Sequence, residues 1–163
     1  MIGVTQKIEK TDDVVKKLRA LRASMREGYQ RSLQQYANHV AGGIREVFDS
    51  EGQRVGWSPL SQATLRRTPD RKGGPLVNTG ELRAAAIATR PGVPHSAYAI
   101  SRFSVTIGVT RPDAAFHQEG TKTEPARPFL RISEEESPFA RQLIAQEVHE
   151  KVRRAGLQSR RRF

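Results

Sequence analysis

Four histidines, His39, His95, His117 and His149, are the first side chains to weigh for chemistry. They lie far apart and never form the i, i+4 helical pair of a zinc protease or a comparable ligand spacing, so each reads as a surface or turn residue. His117 and Glu119 could be pictured as an acid–base pair. Side chains at i and i+2 of a helix point away from each other, however, and a general base must reach a substrate proton. Gly42 with Gly43, and Gly73 with Gly74, lack the lysine-serine or lysine-threonine pattern of a phosphate loop, and no G-x-S-x-G elbow occurs. The absence of cysteine excludes thiolate zinc sites, disulfides and cysteine nucleophiles, and is compatible with a reducing cytoplasm. The residues thus assign no catalytic, cofactor-binding or metal-binding role, and the expectation is a protein that is not an enzyme and takes no cofactor.

Residues suited to contact are easier to find. In "EPARPFLRI", Pro125 and Pro128 disfavour helix just before them, so Ala126 and Arg127 are held extended and Phe129 and Leu130 enter a sheet or its edge. An extended arginine beside a buried phenylalanine suits a fixed contact with a neighbouring subunit's carboxylate or carbonyl groups. The alternative is an arginine lying over its own fold. Trp57, the only tryptophan, precedes Pro59 and Leu60 in an irregular stretch; it is either an anchor that pins the loop to the core or an interface hot spot.

The elements that must position these residues follow from periodicity. From Asp12 to Phe48, apolar residues including Val14, Leu18, Leu21, Met25, Tyr29, Leu33, Tyr36, Val40 and Ile44 recur at steps of three and four, the signature of a long helix. Thr11 or Asp12 is its N-cap, and a bend or break is expected near Gly28, because glycine weakens a helix by about 1 kcal/mol relative to alanine. The apolar stripe could serve a coiled-coil partner or the protein's own sheet. Residues 49–78 form a long, basic, irregular loop, with one short helix in "SPLSQATLRR" capped by Ser58 or Ser61. "TGELRAAAIATR" reads as a helical turn continuing into a strand. "AYAISRFSVTIGVT" alternates, with Val105, Ile107 and Val109 on one face and Ser104, Thr106 and Thr110 on the other. "DAAFHQEG" reads as a short helix closed by Gly120, "RPFLRIS" as a last strand, and "EEESPFARQLIAQEVHEKVRRAG" as a helix ending at Gly156, acidic at its start and basic at its end. The expected fold is α+β: an antiparallel sheet of three or four strands packed by a long N-terminal helix and a C-terminal helix.

A length of 163 residues suits a single domain spanning 1–163, with flexible ends at 1–11 and 157–163. "MIGVTQKIEK" lacks the apolar core of a signal peptide, and no stretch reaches the roughly 20 apolar residues of a membrane span, so no membrane contact is expected. The formal net charge of +11 draws the chain to polyanions in a salt-dependent way, or to an acidic protein partner. The candidates for facing DNA are Arg66, Arg67, Arg71 and Lys72 in the loop and Arg160, Arg161 and Arg162 at the end.

Five blocks in order, "WSPLSQATLRR", "PLVNTGELRAA", "VTIGVT", "FHQEGT" and "PARPFLRIS", resemble the phage virion morphogenesis family, which includes tail-completion proteins of Mu-like and P2-like phages. The resemblance spans roughly residues 48–133 closely and the flanking helices loosely. Trp57, Pro59, Leu60, Ser61 and Thr64 match its first block, Thr79, Gly80 and Leu82 the second, His117, Gln118 and Gly120 the fourth, and Pro125, Ala126, Arg127, Pro128 and Phe129 the last. Asn78, Glu81 and Glu119 depart from it, standing where aspartate, a basic or polar residue and an aromatic residue are usual.

The resemblance implies a structural virion protein that completes or terminates the tail or joins it to the head as a ring-like homo-oligomer. It would be assembled in the host cytoplasm beside other tail or neck proteins, with non-specific contact to packaged DNA. Trp57, Pro59, Leu60, His117, Gln118, Gly120, Arg127, Pro128 and Phe129 are then the assembly candidates. The alternative is an independent, non-specific nucleic-acid-binding protein, although no zinc finger, RNP motif or basic–aromatic interleaving accompanies it.

Overall fold

The computed structural model describes residues 11–71, 73–131 and 136–156. Of the expected flexible ends at 1–11 and 157–163, residues 1–10 and 157–163 lie outside the described residues, as do Lys72 and Arg160 to Arg162, whereas Thr11 is helical. Helix α1 (Thr11–Asp49) runs unbroken, and at 1.5 Å per residue it is about 58 Å long. No break occurs at Gly28, which instead serves close packing. A Cβ at this position would lie 2.5 Å from Oε1 and 2.6 Å from Cγ of Glu147.

Glu147 belongs to α5 (Glu136–Arg154), which lies antiparallel along the middle of α1. Phe139 stacks on His39, the Leu143 carbonyl accepts from the Ser32 hydroxyl, and Glu147 sits against Gly28 and Arg31. The first turns of α1 outrun this cover: Val14 and Leu18 are 50% exposed and Val15 37%.

The other half of α1 carries the core. Val40, Ile44 and Phe48, spaced four apart on one face, cluster with Trp57, Leu82, Ala86, Ala114 and Phe129. Phe48 is central, meeting Trp57 edge-on at 5.6 Å and Phe129 at 5.8 Å between ring centroids.

The chain is mostly helical, which corrects the expected α+β sheet of three or four strands. Among the described residues the sheet is one antiparallel pair, β1 (Ala99–Ile100) and β2 (Val105–Thr106), in the register Ala99↔Thr106 and Ile100↔Val105. An isolated bridge between Ser96 and Val109 prolongs it. Val105, Ile107 and Val109 are half-buried while Ser104, Thr106 and Thr110 are exposed, as period-two alternation requires. The hairpin lies along α1, with Tyr98 Oη donating to Gln34 Oε1 at 2.6 Å and Phe103 edge-on to Tyr29.

Two expected strands fail for separable reasons. In "TGELRAAAIATR" helix α3 (Glu81–Ala86) takes up the middle of the segment, and the N–H groups of Ile87 and Ala88 turn back to the carbonyls of Arg83 and Ala85 instead of facing a neighbouring strand. Residues 127–131, the described part of "RPFLRIS", satisfy their backbone with a side chain instead. Gln118 Oε1 accepts from the N–H of Phe129 and of Leu130, both at 3.1 Å, and its Nε2 donates to the Leu130 carbonyl at 2.9 Å. One amide side chain stands in for the neighbouring strand.

Candidate functional site

The irregular loop and the proline-held segment are fastened to each other by a reciprocal pair of side chains. Trp57 Nε1 donates to the Pro128 carbonyl at 2.9 Å. Arg127 reaches the other way, its Nε donating to the Ser58 carbonyl at 2.9 Å and its Nη2 to the Pro59 carbonyl at 3.0 Å. Each segment thus supplies a side chain that satisfies the other's backbone, in a region with no regular ladder to do so. Trp57 is 8% exposed, Arg127 9% and Phe129 1%. Trp57 is therefore an anchor of its own loop, and Arg127 lies over its own fold.

Local structure makes this fastening reachable. Glu51 and Gly52 both have positive φ, and they turn the chain out of α1. Only glycine fits at 52, since a Cβ there would lie 1.9 Å from the Trp57 ring. A 3-10 turn (Gln53–Val55) then brings Trp57 back over Phe48. Helix α2 (Gln62–Arg67) starts at Ser61, whose hydroxyl accepts from the Thr64 N–H at 3.1 Å. On the opposite side α4 (Ala114–Glu119) ends at Gly120, and the Arg127 N–H donates to the His117 carbonyl at 2.7 Å.

Between these parts lies an open cleft of about 510 Å³. Its walls come from four of the five blocks of the resemblance: Pro59, Leu60 and Thr64; Thr79, Gly80 and Leu82; His117; Pro125 and Arg127. The remaining block contributes Ile107 and Val109, which pack against the core. Of the other assembly candidates, Pro128 and Gln118 are half-buried and fixed by the bonds above. Among the DNA-facing candidates, Arg66 and Arg67 are exposed in the last turn of α2, whereas Arg71 lines the cleft.

An ion cluster closes one end of the cleft. Arg111 grips Asp113 with two hydrogen bonds, Nε to Oδ1 at 2.9 Å and Nη2 to Oδ2 at 2.7 Å, while its Nη1 meets Glu81 Oε2 at 2.7 Å. Hydrogen bonding from Arg111 holds the Asp113 carboxyl below its ordinary value, against the opposing effect of burial. His117 Nε2 is 3.9 Å from Asp113 Oδ2, beyond hydrogen-bond reach of a carboxylate already engaged by Arg111. The cluster ties Glu81 of α3 to Arg111 and Asp113 ahead of α4. Among the described residues, no group of three or more histidine and acidic side chains is placed to hold a metal ion.

Residue type alone does not single out Arg111 or Asp113, and Glu81 stands out only as a departure from the family pattern. The available signal was the adjacency in "RPD", where a proline between opposite charges holds them close. The pairing with Glu81, 30 positions away, leaves no local trace. No protein-family model, curated protein or solved structure matches the chain. No helix among the described residues is long and apolar enough to cross a membrane.

Proposed function

We propose that this chain is a structural protein of phage virion morphogenesis, completing or terminating the tail or joining it to the head, and that it acts by ring-like self-assembly rather than by catalysis. The observation that carries the reading is the convergence of four separated blocks, residues 57–64, 79–82, 117–120 and 125–129, on one cleft. Part of each block lines this concave surface, while Trp57, Leu82 and Phe129 anchor the blocks in the core. Two further features support a contact face. Helices α2 and α4, which both contribute to the cleft wall, each expose a large apolar side chain, Leu65 and Phe116. The net charge of +11 suits a ring near packaged DNA, where phosphates are neutralised without base readout. In this reading the protein works in the virion beside other tail or neck proteins, after assembly in the host cytoplasm.

Light scattering across concentration and salt, followed by imaging of the particles, tests the proposal. The expected result is a discrete, salt-resistant oligomer that is lost in a Leu65→Glu, Phe116→Glu variant. A monomer throughout, together with tight duplex binding at physiological salt that disappears when Arg160, Arg161 and Arg162 are replaced, would overturn it in favour of an independent nucleic-acid-binding protein.

A further inference from the structure

Two guanidinium groups of the cleft meet no carboxylate among the described residues. Arg127, although 9% exposed, bonds only to the carbonyls of Ser58 and Pro59. Arg71 bonds to the carbonyls of Gly73 and Gly74 at 3.0 and 2.8 Å. Neither makes an ion pair with a described residue, and in both the Nη1 group has no hydrogen-bond partner among the described residues. Arg111 in the same cleft is the opposite case, with all three of its guanidinium nitrogens engaged by carboxylate oxygens.

The Arg127 guanidinium, in a residue only 9% exposed, meets carbonyl dipoles that carry only partial charge, while its Nη1 stays open to an incoming group. An incoming carboxylate would supply what is missing, with charge-assisted hydrogen bonds to the free Nη1 donors. Around it the cleft offers neutral hydroxyl and amide groups from Ser61, Thr64, Asn78, Thr79 and Thr123, which suit a peptide backbone. The volume of about 510 Å³ falls in the range that takes a small ligand or a few residues of chain.

A polyanion fits less well. Glu81, Asp113 and Glu124 line the same cleft as Arg71, Arg111 and Arg127, so fixed charges of both signs balance there. Duplex DNA carries a charge about every 1.7 Å along its axis and would bring several phosphates against these three carboxylates. A segment with a single carboxylate on Arg127 limits that repulsion. It would meet hydroxyl groups elsewhere.

We propose that the cleft is a docking site for an extended, carboxylate-bearing segment of an adjoining protein, with an aspartate or glutamate side chain seated on the Arg127 guanidinium and Arg71 adding positive charge to the same cleft. The identity of that protein as a virion component rests on the assembly reading above; the site itself does not. Arg127 thereby has two duties: two of its nitrogens hold the loop that forms the wall, and the third receives the partner's charge. Arg71 has no part in the fastening of Trp57 to Pro128, so it can be altered without dismantling the wall.

The test is a titration of the isotope-labelled full chain, followed by nuclear magnetic resonance, with four probes: an acetylated and amidated tetraglutamate, the matching tetraglutamine, inorganic phosphate, and a short DNA duplex. Tetraglutamate is expected to shift the Nε–H signals of Arg71 and Arg127 and the amides of Thr79 and Thr123 saturably, with tetraglutamine at least about tenfold weaker. Arg71→Gln should weaken tetraglutamate about tenfold while leaving the rest of the spectrum, and hence the fold, unchanged. Tetraglutamate shifts confined to exposed lysines and arginines of α1, with the cleft signals unmoved, would overturn the proposal. So would phosphate or duplex DNA moving the cleft signals at an equal or lower concentration, which would make the site one for phosphate. A monomeric chain that still bound tetraglutamate in the cleft would leave this inference standing and count against ring formation alone.

Discussion

Helix α1 presents two kinds of interface along one apolar stripe. Toward its C-terminal end, Val40, Ile44 and Phe48 meet an aromatic cluster with Trp57 and Phe129, and the backbone groups nearby are held by hydrogen bonds to Trp57 Nε1, Arg127 and Gln118. In its middle, against α5, the same periodicity meets charge. Glu147 Oε1 is shielded from solvent without a hydrogen bond, and its cations, Lys151 and Arg31, stand off at 3.6 and 3.7 Å. The first interface is directional and specifies one arrangement; the second relies on close approach at Gly28 and on looser electrostatics. The difference teaches that helical periodicity marks which face is covered but not how tightly the cover is specified.

Breaking the directional side should have the largest effect. Phe129→Ala is expected to destabilise the protein by about 3–5 kcal/mol, because it removes the 1% exposed ring that packs on Phe48, and urea unfolding would measure it. On the α5 side the informative change is Gly28→Ala. Helix propensity alone would make this substitution stabilising by about 1 kcal/mol. The collision with Glu147 should reverse the sign, giving a net loss of about 1 kcal/mol, and the same change made in a Glu147→Ala background should become stabilising. A Gly28→Ala variant more stable than the parent would show that α5 yields freely there.

The cleft also makes a prediction in acid. Because Asp113 has a lowered pKa in the folded chain, its contribution to stability is fully present above the ordinary aspartate value and is lost as pH falls through the lower folded value. Asp113→Asn should therefore be less stable than the parent at neutral pH, with the deficit closing as the pH is taken below the ordinary carboxylate range in thermal melts. The smallest effect belongs to the uncovered start of α1. Leu18→Ser is expected to change the stability of the isolated chain by about 0.5 kcal/mol or less, since half of Leu18 is already in water.

Much of the helical frame was legible beforehand. The three- and four-residue steps of α1, the dipole-matched charges of α5, the Ser61 cap and the alternation from Val105 to Val109 are local patterns, and each appears as an element or cap in the expected place. Gly28 was misread because propensity scores a glycine by what it does to its own helix, whereas its partner Glu147 is on another. The sheet was overcounted for a similar reason. Short apolar runs such as 127–131 look like strands until the source of their hydrogen bonds is known.

The sequence by itself determined which segments are helical, where the hairpin alternates, and that the chain is strongly basic, because these depend on neighbours within a turn or two along the chain. Tertiary structure alone decided that Trp57 and the Pro128 carbonyl, 71 positions apart, would hold each other, that Gln118 would replace a strand, and that Arg111 would join Glu81 to Asp113. Such pairings leave no periodic mark. They arise because buried backbone groups and charges must find partners, and only the folded chain settles which ones come within reach.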